Sequence, residues 1–172
     1  MAEPSVDPSH IEDFRARINV PTLDTVAVGR TNVPGLEGIT FKGASPGVWK
    51  KAGQPVPPPA KYESPSLLAR DRRHAEGGIF NRFDQEVQER GLRPSDIEGK
   101  LVIHVSNPKG VCPSCRWGLD NPKARAGIIK QFSRDYPKLT IEFSVATEPG
   151  IRTMGPSRFT IRDGKYVSRS DR

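Results

Sequence analysis

Apolar positions along the chain follow two periods. Leu139, Ile141, Phe143 and Val145 alternate with polar residues, which predicts a strand over Leu139–Val145 with one buried face. Lys100–Ser106 (KLVIHVS) is apolar on both alternations and reads as a central strand. Arg158–Asp163 and Lys165–Val167 flank Asp163-Gly164, a two-residue hairpin signal. Thr25–Gly29 and Gly38–Lys42 flank the turn-rich Asn32-Val33-Pro34-Gly35 and read as a first hairpin. Ile79, Phe80, Phe83 and Val87 recur at helical spacing and predict a helix from about Arg72 to Arg90, stopped at Gly91. Gly77-Gly78 weakens its start and leaves room for close approach of another backbone or a substrate. A second helix is expected over Ala124–Tyr136, carrying Ile128, Ile129, Phe132 and Tyr136 and ended by Pro137. Between them, Pro113 suits the first turn of a short helix that Asn121-Pro122 interrupts. Near the amino terminus only a short helix over Ile11–Ile18 is suggested.

The order is β-β-α-β-α-β-β, which predicts an α/β fold: a mixed sheet with helices packed on it. No helix fits between Val145 and Arg158, so the last strands should run antiparallel. Residues 1–24 read as an amino-terminal arm and 25–172 as one domain. Residues 51–66, with Pro55, Pro57, Pro58, Pro59 and Pro65, read as a Pro-rich surface loop within it, because too little chain precedes it for a separate core.

Composition narrows the partners. The formal charge of +7 favours a polyanion. No apolar run is long enough to span a membrane. Met1-Ala2-Glu3-Pro4 begins no secretory signal pattern, and two cysteines make no disulfide scaffold.

Those two cysteines, Cys112 and Cys115, lie three apart where a strand gives way to a helix. They can converge on one ion, and the helix start favours thiolates. With His74 they form a donor set suited to zinc, whose catalytic sites use three protein ligands and one water. His10, in the arm, and His104, mid-strand, lack ligand spacing, so one coordination position stays open for water or hydroxide. Glu76 is two residues from His74, nearly opposite it on an ideal helix. Both face one cleft only if His74 sits at the helix edge. Glu76 then reaches the water as a proton carrier without binding metal. Taken alone, HxE is common and CxxC also suits a redox pair, although the thioredoxin-type βαβ context is missing.

His74-Ala75-Glu76 followed by Cys112-Pro113-Ser114-Cys115, on α-β-α, resembles the cytidine deaminase superfamily. Asn107-Pro108-Lys109-Gly110-Val111 before the first cysteine is similar to the deaminase domains of bacterial polymorphic toxins, which include DNA cytosine deaminases. Thr31–Leu36 and Phe41–Pro46 are similar to that group as well. The resemblance spans roughly Thr25 to Val167. It implies a cytidine-deaminase-like fold, zinc on His74, Cys112 and Cys115, proton transfer by Glu76, and attack at C4 of cytosine to give uracil and ammonia. Two departures stand out. Val111 occupies the place before the first zinc cysteine where the superfamily often has Pro. Gly43-Ala44-Ser45-Pro46 holds no Asn to grip the base, leaving Ser45 or Asn107 for that role, with turn formation or capping as their ordinary use.

A base in a polymer must be flipped out or already single-stranded to enter such a pocket. Arg73 and Arg116, together with Arg70, Arg72, Arg152 and Arg158, are candidate phosphate contacts, and Trp117 is a candidate stacking face or core residue. The resemblance and charge favour cytosine in single-stranded DNA. Duplex DNA, RNA and nucleosides remain alternatives, as does a non-catalytic zinc-stabilised nucleic-acid-binding module. The resemblance also implies an interbacterial toxin, secreted within a larger protein, mutagenic in the recipient cytoplasm and countered by a cognate immunity protein.

Overall fold

β1 (Val26–Thr31) and β2 (Phe41–Ala44) form an antiparallel hairpin, and Arg30 of β1 holds the connecting loop by donating to the Thr40 hydroxyl and the Glu37 carbonyl. The computed structural model describes residues 3–7, 9–11, 14, 26–44, 61–62, 75–106, 116, 118–121, 123–146 and 155–170, with backbone alone at Ala75 and Glu76. After the hairpin come α1 (Ala75–Glu89), a 3-10 turn (Pro94–Asp96), β3 (Gly99–Val105), α2 (Ile128–Asp135), β4 (Leu139–Val145), β5 (Arg158–Arg162) and β6 (Lys165–Arg169). The sheet order is β2-β1-β3-β4-β5-β6. β3 and β4 are parallel and every other pairing is antiparallel, including β5–β6. This is the expected mixed α/β architecture.

Alternating side chains explain the layering. Leu101, Ile103, Val105, Leu139, Ile141, Phe143, Phe159 and Ile161 face the helices and are buried with Ile79, Phe80, Phe83, Val87, Ile128, Ile129 and Phe132. Phe80 stacks on Phe132 at 4.4 Å between ring centres, locking α1 to α2. On the opposite face Val26, Val28 and Ala44 are covered by Ile11 and Phe14 from the amino-terminal arm.

Several boundaries differ from expectation. β1 runs to Thr31 and β2 begins only at Phe41, because residues 34–38 stay in the turn. β3 is central as expected, yet Val102 and His104 are only half-buried: the arm covers β1 and β2, not β3. α2 begins at Ile128 rather than Ala124. Asn121 accepts from the Lys123 amide in an Asx turn, and Gly127 is extended at the N-cap. The α1 stop is as expected. Gly91, at φ +66°, donates to Gln88 while Leu92 donates to Val87, a Schellman ending. Asp163 and Gly164 both have positive φ, as the type I′ hairpin turn requires. Arg116 is in a 3-10 turn, with the Leu119 amide donating to its carbonyl at 3.3 Å, but the start of the short helix expected after Pro113 lies outside the described residues. So do most of the Ile11–Ile18 helix and most of the Pro-rich loop.

Candidate active site

Strand direction brings several chain ends to one rim of the sheet. Val26 pairs with Ala44, Ala27 with Val105, Val105 with Val145, and Ser144 with Arg158. The ladder runs one step further, from the Ser106 amide to Val26 and from the Ala146 amide to Val105. The carboxyl ends of β2, β3 and β4 therefore share this rim, where open α/β sheets carry their ligands.

Both helices start at the same rim. A Cβ on Gly78 would lie 2.9 Å from the Gly43 Cα and 3.2 Å from the Lys42 carbonyl oxygen. The first turn of α1 thus rests directly on the β2 backbone, the close approach that Gly77-Gly78 suggested. A Cβ on Gly77 would lie 2.9 Å from Ile128 Cδ1, so the starts of α1 and α2 touch. The clamp is completed by Asn81. Its amide donates to the Gly77 and Tyr62 carbonyls, and its Oδ1 accepts from the Tyr62 amide at 2.9 Å.

Glu76 is the second residue of α1, in the turn so held; its side chain is not among those described. His74 adjoins α1 in sequence, Ser45 follows β2, and Asn107 follows Ser106 at the end of β3. These three residues, with Arg73, Cys112, Cys115 and Trp117, lie outside the described residues, as do Arg70, Arg72 and Arg152. Arg116 is described. Its guanidinium packs on Gly155: a Cβ there would sit 2.7 Å from Arg116 Cζ. Gly155 lies just before Ser157, which accepts from the Val145 amide, so Arg116 stands near the end of β4. Arg158 sits on the opposite face of the sheet from the helices, opposite Ser144.

No family model, curated protein or solved structure matches the chain.

The other two histidines are engaged away from the helix starts. His10 Nδ1 accepts from the Asp7 amide. His104 Nδ1 lies 2.7 Å from Ser144 Oγ on the outer face. Burial, and then the positive charge of Arg158, hold the His104 imidazole below its ordinary range.

Sequence reasoning missed a polar network behind the site. Asp84 is buried and accepts from the Tyr136 hydroxyl at 2.6 Å and from Gln88 at 2.6 Å. The Tyr62 hydroxyl donates to Asp135 at 2.7 Å, and Lys61 approaches the same carboxylate at 3.3 Å. Burial first, and then these carboxylate bonds, push both tyrosine hydroxyls well above their usual range. One signal was available: Asp84 falls on the stripe formed by Phe80, Phe83 and Val87, where a carboxylate needs a donor. The network ties residues 61–62 and the middle of α1 to the carboxyl end of α2, while Asn81 holds the same Tyr62 backbone to the start of α1.

Proposed function

We propose that the chain is a zinc-dependent deaminase that hydrolyses cytosine to uracil in DNA, with single strands preferred. The supporting observation is a coincidence of sequence and topology. His74-Ala75-Glu76 runs into the first turn of α1, and Cys112–Cys115 falls between two described ends, Ser106 and Arg116, that neighbour the same rim. One imidazole and two thiols are the donor chemistry of a catalytic zinc site with one open position. Bound by His74, Cys112 and Cys115, zinc would supply the Lewis acidity that makes water nucleophilic near neutral pH.

The remaining work belongs to the chain. Glu76 takes a proton from the attacking water and passes it to the departing amino group. A C4–O bond forms, the C4–N bond breaks, and ammonia leaves as uracil is made. Ser45 or Asn107 holds the base. Arg73, Arg116 and Trp117 hold the flanking nucleotides. The same reading makes the protein an antibacterial, mutagenic effector that is secreted within a larger toxin, acts in a recipient cytoplasm and is blocked by a cognate immunity protein.

The test is Glu76→Ala, with zinc content and uracil formation on labelled single-stranded DNA measured together. Zinc stoichiometry should be unchanged and turnover should fall by about 10²–10⁴-fold. A zinc-loaded wild type inert on DNA, RNA and nucleosides overturns the reading. Nucleic-acid binding that needs zinc but not Glu76, without turnover, indicates the non-catalytic module instead.

A further inference from the structure

Charge is distributed unevenly between the two helical flanks. Described residues 116–170 hold ten lysines and arginines against four aspartates and glutamates, whereas residues 75–106 hold four against six. Pairing sharpens the contrast. Arg82 and Arg90 of α1 both bind Glu86, and Lys100 binds Glu3 and Glu142. Lys123, Arg125, Arg134, Lys138 and Lys165 have no ion pair among the described residues.

These unpaired cations follow α2. Lys123 and Arg125 precede its start, which touches Gly77 of α1 at the candidate site. Arg134 is in its last turn, and Lys138 follows it. The β5–β6 turn docks on the helix through the Gly164 amide, which donates to Ser133 Oγ at 2.9 Å. The Arg134 stem packs on that turn, with Cγ 2.7 Å from where a Gly164 Cβ would lie, and Lys165 is the next residue. The helix is about 12 Å long at 1.5 Å per residue, so the cations are spaced over more than one nucleotide.

We infer that this α2 and β5–β6 flank grips the phosphate backbone of single-stranded DNA, leading the strand away from the rim where the base reacts. The inference rests on the deaminase reading for what happens at the rim, but it concerns binding alone. Unpaired guanidinium and ammonium groups release counterions from phosphates, while cations already neutralised by carboxylates do so poorly.

The experiment measures binding of a fluorescent 20-nucleotide single strand to the full chain by anisotropy across a salt series. The triple variant Lys123→Gln, Arg134→Gln, Lys165→Gln is compared with the charge-removal control Arg82→Gln, Arg90→Gln, which removes cations already paired with Glu86. Thermal melts verify that each folds. The triple variant should bind at least about tenfold more weakly at moderate salt. Its slope of log affinity against log salt should be shallower by about 2, at about 0.7 per lost contact. The control should keep the wild-type slope. An unchanged slope in the triple variant, a loss confined to the control, or no binding of DNA by the wild type overturns the inference. The deaminase reading fails separately: a wild type with the expected slope that forms no uracil leaves the binding flank standing.

Discussion

His104 shows what one residue adds to the fold. It sits on the outer face between Val28 of β1 and Ser144 of β4, with Arg158 on the next strand. Its imidazole is held below the ordinary value of 6.5, so the folded protein takes up its proton later than the unfolded chain as pH falls. Below about pH 6.5 the unfolded state binds more protons, and stability therefore declines with acidification. Above that range both states are neutral and the effect disappears. Urea unfolding between pH 7.5 and 5.5 should show a steeper acid loss for the wild type than for His104→Gln. Equal slopes would remove the imidazole as the cause. The expectation of two apolar faces hid this residue's orientation: Leu101, Ile103 and Val105 share one alternation of KLVIHVS, whereas Val102 is the one apolar residue on the other.

At the scale of elements, strands and hairpins were the most legible features. Leu139–Val145 alternates so cleanly that its bounds match β4, and Asp163-Gly164 marks a turn with both φ angles positive. Helix ends were less legible. The α2 start was set by an Asx turn at Asn121 and an extended Gly127, local hydrogen bonding that hydrophobic periodicity does not encode. The Gly77-Gly78 pair gives a graded prediction. Replacing glycine by alanine inside a helix gains about 1 kcal/mol in propensity. At Gly78 the new methyl meets backbone on β2 that cannot yield, and overpacking of this kind costs about 1–3 kcal/mol. At Gly77 it meets the flexible end of Ile128. Denaturant titration should find Gly78→Ala destabilised by up to about 2 kcal/mol and Gly77→Ala at or above wild-type stability. The opposite order would contradict the direct seating of α1 on the sheet.

The whole molecule has two unequal outer halves. Phe14 and Ile11 cover β1 and β2, while β3 to β6 present Ser144, Thr160 and Ser168 among Arg158 and Glu142. The sequence reads residues 1–24 only as an arm, because their apolar positions are interleaved with charged ones and show no sustained period, yet Phe14 is 2% exposed. Phe14→Ala should cost about 3 kcal/mol by thermal unfolding, as for a buried aromatic. A shift of less than ~0.5 kcal/mol would mean that the arm contributes little to the fold. Topology and class were readable from the order of periods. The site was readable only as motifs: which ends meet at the rim depends on strand order, which no local pattern specifies.

The parallel pairing of β3 and β4 also bears on biosynthesis. Val105 and Val145 are neighbours in the sheet although 40 residues apart in the chain. On a ribosome the β1–β2 hairpin, α1 and β3 emerge before β4 has been made. Until residue 145 is free, the nascent protein carries an unpaired strand edge rich in valine and isoleucine, and α2, which emerges before β4, has no completed sheet to pack on. That interval is when a chaperone would engage the chain, and when a slow translation step would be most hazardous to it.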